Sequence, residues 1–154
     1  MKRQACAALA LVCGLTMSVE PSSVPGSGIL REHWDGICGD LVTDLTSDAA
    51  YPDAPTGQEV LSVFEGPVDA GDCYGTRIHG YVRAPQSGDY TFWVSGDDKT
   101  ELWLSTDEDP ANAVMVAHVP DWTSSREWTK YPEQQSSPVS LVGGQKYYIM
   151  ALHK

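Results

Sequence analysis

The sequence predicts an all-β protein, an antiparallel β-sandwich or barrel. Three observations lead there. Short β-branched and aromatic runs such as Tyr90-Thr91-Phe92-Trp93-Val94 recur along the chain, separated by clusters of Gly, Pro and Asp. No heptad, internal repeat or convincing amphipathic helix competes with that pattern. A length of 154 residues bounds the chain to one domain, long enough to bury a core unaided.

The N-terminus has a different character. Met1-Lys2-Arg3 is followed by an apolar run from Ala5 to Leu15 and then by small and polar residues through Ser18 and Ser23. A positive start, a short apolar centre and a small-residue exit make residues 1–22 a secretory signal peptide, cleaved between Ser18 and Ser23. The apolar run is shorter than the roughly 20 residues a membrane helix needs, so membrane insertion is not expected. Neither Cys6 nor Cys13 sits in a lipoprotein-type context. Residues 23–30, rich in Pro, Ser and Gly, read as a flexible lead into a domain over residues 31–154.

Within the domain a first strand is expected around residues 29–34. A short helical turn follows in residues 41–48, with Asp44, Thr46 and Ser47 as capping candidates. Tyr51-Pro52-Asp53-Ala54-Pro55-Thr56-Gly57 is a loop by composition. Further strands are expected at 59–64, 75–83, 89–95, 100–105, 114–119, 138–141 and 145–152. The short 96–99 connection predicts that 90–95 and 100–105 form an antiparallel hairpin.

Charge and cysteine content narrow the function. A net charge of −11 repels phosphate backbones and offers no polybasic segment to anionic lipid, so nucleic-acid binding is excluded. Removal of the leader leaves two of the four cysteines, Cys38 and Cys73. In an oxidising compartment they predict a disulfide; two separately buried small residues are the alternative.

Asp97-Asp98, between Tyr90-Thr91-Phe92-Trp93-Val94-Ser95-Gly96 and Glu101-Leu102-Trp103-Leu104-Ser105, is the most informative dipeptide. Two hard oxygen donors at a loop tip suit Ca²⁺. Neighbouring side chains on a regular strand point to opposite faces, so sharing one ion requires a sharp turn or a cis bond. A plain polar turn is the competing explanation. Trp93 and Trp103 are expected to fill core or brace a hairpin, whereas Trp122 and Trp128, in a loop-like stretch, are the aromatic candidates for ligand contact.

Catalytic patterns are missing. His33, His79, His118 and His153 are scattered without metal-ligand spacing, no serine sits in a Gly-x-Ser-x-Gly elbow, and nothing selects a carboxylate pair for glycoside hydrolysis. Asp107-Glu108-Asp109-Pro110 lacks the glycine and terminal glutamate of a calcium loop and reads as a solvated turn. The chain is not expected to be an enzyme.

Several motifs occur in a telling order: Gly80-Tyr81-Val82-Arg83-Ala84-Pro85, Ser87-Gly88-Asp89-Tyr90-Thr91-Phe92-Trp93, Gly96-Asp97-Asp98 and Glu101-Leu102-Trp103-Leu104-Ser105. Val119-Pro120-Asp121-Trp122-Thr123, Arg126-Glu127-Trp128-Thr129-Lys130 and the stretch from Pro138 to Ile149 continue the series. Together they resemble the protective-antigen-type fourteen-kilodalton domain, a β-barrel or β-sandwich module of bacterial toxins, glycosidases, yeast adhesins and large secreted proteins. The resemblance spans residues 31–154; Cys38 and Cys73 lie outside its motifs. It implies a final tryptophan-bearing strand beyond Ala151-Leu152-His153-Lys154, so the domain is expected to lack its last strand and to expose an unpaired edge.

Three functions fit: a secreted carbohydrate-binding or adhesion module whose Asp97 and Asp98 hold Ca²⁺, with a glycan or glycoprotein as partner; a non-catalytic structural or protein-interaction domain; or an accessory fragment of a larger secreted glycosidase-like protein, with that protein's other domains as partners.

Overall fold

Burial alternates along Tyr74–Arg83, with Thr76, Ile78 and Val82 covered and Arg77, His79 and Tyr81 less so. That period of two is what a sheet with one face on a core requires. The computed structural model describes residues 8–11, 18–21 and 28–154. Its strands are β1 (Ala8–Leu11), β2 (Ser18–Pro21), β3 (Ile29–Asp35), β4 (Gly57–Leu61), β5 (Tyr74–Arg83), β6 (Gly88–Tyr90), β7 (Phe92–Ser95), β8 (Thr100–Leu104), β9 (Val114–Val119), β10 (Val139–Leu141) and β11 (Lys146–His153). One short helix, α1 (Val42–Thr46), joins β3 to β4. The fold is all-β, as the sequence predicts.

The main sheet has the order β4-β3-β5-β11-β8-β9, with β2 also on β5. Facing it are two ribbons, β1 with β7 and β6 with β10. All of these pairings are antiparallel. Ile29, Ile78, Phe92, Leu102 and Ile149, each with no exposed surface, fill the core between the layers. Each such side chain contributes on the order of 1.5–3 kcal/mol by leaving water. A second cluster, Trp34, Ile37, Val42, Leu45 and Leu152, packs α1 onto the outer face of the main sheet. Gly75 makes that approach close, since a Cβ there would fall 2.6 Å from Leu45 Cδ1.

Two expectations are corrected. The predicted hairpin does not form: β7 pairs with β1, while β8 pairs with β9 and β11. Residues 96–99 cross from one layer to the other, so Phe92 and Val94 meet Leu102 and Leu104 across the core. Alternating burial is the same whether two strands pair side by side or face each other, which is why the pattern did not separate these cases. The expected 89–95 strand is broken at Thr91 into β6 and β7, which have different partners. β11 is paired with β5 on one side and β8 on the other. Asp44 caps α1, as expected, from the third helical position: its carboxylate accepts the backbone N–H of Leu41 at 2.9 Å.

Within the expected leader, residues 8–11 and 18–21 form β1 and β2; Cys6, Cys13 and residues 22–27 lie outside the described residues. Ile29 and Leu30, at the end of the expected flexible lead, already belong to β3 and are buried.

On the outer face of the main sheet, Glu32 accepts from Arg77 Nε at 2.7 Å and lies 3.1 Å from His79 Nε2. Burial and the Arg77 charge lower the His79 pKa, which favours the neutral ring. A carboxylate only accepts, so Nε2 carries the proton and Nδ1 is left to accept from the Tyr148 hydroxyl at 3.3 Å.

Candidate functional site

The crossing between the layers carries the predicted aspartates. Gly96 permits it, because a Cβ there would come within 2.0 Å of Thr100 Oγ1. Gly96 N donates to Thr123 Oγ1 at 2.9 Å, and Thr123 N returns a bond to Gly96 O at 2.7 Å. The Asp97–Asp98 peptide bond is cis. Asp97 is buried at 6% exposure and Asp98 is half-buried.

The end of β11 bolts this corner in place. His153 Nε2 lies 2.9 Å from Asp97 O, Asp98 N donates to Lys154 O at 2.6 Å, and Lys154 N donates to Lys99 O at 3.0 Å. The Lys154 ammonium points the other way, donating to Ile37 O and to Tyr74 O at 3.0 Å. Burial lowers its pKa, and the charges of Asp44, Asp40 and Asp98 work against that shift.

Beside the corner opens a cavity of about 160 Å³ lined by Gly39, Asp40, Asp72, Cys73, Tyr74, Asp97, Asp98, His153 and Lys154. The predicted Cys38–Cys73 disulfide is present, with an S–S distance of 2.06 Å and Cα atoms 4.0 Å apart. It joins the loop after β3 to the loop before β5, and so holds Asp40 and Asp72 at the cavity's edge. Asp40, Asp72, His153 and Lys154 were missed in the sequence. The signal for the two acids lies in Cys38-Gly39-Asp40 and Asp72-Cys73, where each cysteine carries an acid within two residues.

The two tryptophans fare differently. Trp122 forms a β-bridge with Asp97 and is 45% exposed, with Lys130 Nζ 3.2 Å from its ring centroid and covering one face. Trp128 is half-buried, and neither side chain lines the cavity. The loop carrying both is held by the fully buried Gln134. Its Nε2 donates to Val94 O at 2.8 Å and Glu127 O at 2.6 Å, and its Oε1 accepts from Tyr131 N at 2.8 Å.

Asp97 and Asp98 supply the hard carboxylate oxygens that Ca²⁺ prefers, and in that respect they fit the ion. Among the described residues no group of three or more His, Cys, Asp or Glu side chains could hold a metal. Carbonyls, water and a ligand would therefore complete the six to eight oxygens calcium takes. At the opposite end of β8, Asp107 is part of a closed turn: it accepts from Asp109 N at 2.8 Å, Asn112 Nδ2 at 2.9 Å and Ser105 Oγ at 3.1 Å. These bonds, the Asp109 one foremost, lower its pKa.

Fold and corner together define an all-β module with an acidic, disulfide-rimmed pocket at one end of the sandwich. The chain belongs to the PA14 domain family, whose profile matches residues 62–150, more than half of its length. It is 38% identical over 128 residues to mouse N-acetyl-beta-glucosaminyl-glycoprotein 4-beta-N-acetylgalactosaminyltransferase 1, covering 80% of this chain and 12% of that protein. It is 32% identical over 90 residues to dog fibrocystin, covering 54% of this chain and 2% of that one. Among solved structures, the epithelial adhesin 6 A domain of Candida glabrata in complex with Galb1-3GlcNAc aligns over 92% of this chain and 80% of its own. The TM-score is 0.49 and the identity 14%. No helix among the described residues is long and apolar enough to cross a membrane.

Proposed function

We propose that this chain is a non-catalytic carbohydrate-binding module, exported behind the leader of residues 1–22, that takes a glycan at the Asp97–Asp98 corner. The observation that carries the reading is that Asp97 and Asp98 line one acidic pocket, with an exposed tryptophan bridged to the first of them. Asp97 and Asp98 would hold Ca²⁺, and the bound ion would supply open coordination positions for vicinal sugar hydroxyls. Trp122 would offer its uncovered face to the apolar side of a sugar ring. Trp128, half-buried, would back the same loop.

The mouse relative supports a glycan of glycoprotein type, since its name specifies an N-acetyl-glucosaminyl-glycoprotein substrate. In a parent of that kind the module would hold the glycoprotein while another domain performed the transfer. Glycan-array binding by the chain, in Ca²⁺ and then in EDTA, tests the reading. Calcium-dependent binding to N-acetylglucosamine-bearing glycans is expected. Binding that ignores EDTA would remove the ion from the proposal, and no binding in either condition would favour a structural or protein-interaction domain.

A further inference from the structure

We infer that Lys154 and the Cys38–Cys73 disulfide form a two-part clasp that positions the Asp97–Asp98 corner against the rim of its pocket, with Lys154 as the positioning residue. The inference rests on the reading of this corner as the ligand site.

Lys154 touches both halves of the pocket. Its backbone binds Asp98 N and Lys99 O, which fixes the corner. Its ammonium binds Ile37 O and Tyr74 O. Ile37 immediately precedes Cys38, and Tyr74 immediately follows Cys73. The covalent bridge and the ammonium therefore tie together the same two backbone segments, one from outside and one from beneath. Lysine suits the task, since a compact ammonium with several N–H groups can serve two carbonyls from different loops.

The disulfide is placed for this role rather than for core stabilisation. Both cysteines are exposed, neither belongs to an apolar cluster, and Cys73 itself lines the cavity. Cys73 also holds φ at +52°, and Gly39 at +108° leaves room for Asp44, whose Oδ2 would lie 2.2 Å from a Cβ there. The rim backbone is thus specific in shape on both sides of the bridge.

Two measurements on the ligand-free chain test the clasp. In Lys154→Met, reduction of Cys38–Cys73 by dithiothreitol should accelerate about tenfold, as expected when charge-assisted hydrogen bonds are lost. Amide hydrogen exchange at Asp98 should rise by a larger factor than at Ile78 or Ile149. Unchanged reduction and exchange would overturn the inference, and so would a uniform rise at all three amides, which marks a general staple. If Lys154→Met does not fold, the wild-type chain with its disulfide reduced takes its place: a rise confined to Asp98 supports the clasp, and a uniform rise or none overturns it. Ca²⁺ titration adds a sign. A mere charge beside the pocket would make Lys154→Met bind calcium more tightly, whereas loss of a positioning residue weakens it. A chain that shows the clasp in exchange but binds neither Ca²⁺ nor glycan would sink the functional reading and leave the clasp standing.

Discussion

Gln134 Nε2 donates to Val94 O at 2.8 Å, so a buried loop amide is bound to the strand that leads into the Asp97–Asp98 corner. The same side chain satisfies Glu127 O and Tyr131 N. Gln134→Leu keeps the volume but strands three backbone groups, and should cost about 3 kcal/mol. Urea denaturation would measure this; a loss below about 1 kcal/mol would mean that water or a shifted loop replaces the amide.

Asp97 and Asp98 should account for any stabilisation by calcium. At a free concentration about a hundred times its Kd, an ion that binds only the folded state adds about 2.7 kcal/mol. The Asp97→Asn, Asp98→Asn double variant should lose most of that increment, and its calcium-dependent glycan binding, while keeping its β-type circular dichroism. Thermal melts with Ca²⁺ and with EDTA check this, and equal increments in both proteins would exclude these carboxylates as ligands.

Trp122 is exposed, so its contribution to binding and to stability should separate. Trp122→Ala should lower glycan affinity about tenfold, the size of one aromatic stacking contact. Stability should fall by no more than about 1 kcal/mol, the worth of the Lys130 contact it removes. Calorimetric titration with a bound glycan from the array decides; unchanged affinity would clear Trp122 of ligand contact.

Burial pushes the Tyr148 hydroxyl up to about 12 from its ordinary 10. The folded state thus retains a proton that the unfolded chain releases, so stability falls as pH rises from 10 towards 12 and is full below that window. Tyr148→Phe should flatten that alkaline decline relative to wild type. Denaturation midpoints at pH 9 through 12 would show it, and parallel curves would assign the loss to other groups.

Element identity is the most legible layer of this sequence, and pairing the least. Val114–Val119 matches its expected bounds because Val114, Val116 and Val119 fall between clear turn signals. Thr91 gives no comparable warning that β6 ends and β7 begins, since the residue suits a strand in either sheet. The aspartates are legible because hard donors beside glycine stand out from a strand background. Asp40 and Asp72 are not, because loops 32 residues apart reach the same rim through the long-range β3–β5 pairing, the disulfide and the Lys154 ammonium. Lys154 is illegible for another reason: a lysine at the end of a strand normally points to water, and here the carbonyls of Ile37 and Tyr74 with the charges of Asp44, Asp40 and Asp98 make burial tolerable.

The 96–99 crossing belongs to both layers of the sandwich, and that has a mechanical consequence. Sliding one layer past the other requires the corner to deform, together with its bonds to Thr123, His153 and Lys154. This crossing is one covalent tie between the layers, beside those at 84–87 and 142–145, and it stands at the end where the pocket opens. A ligand seated there would stiffen that tie between the two layers.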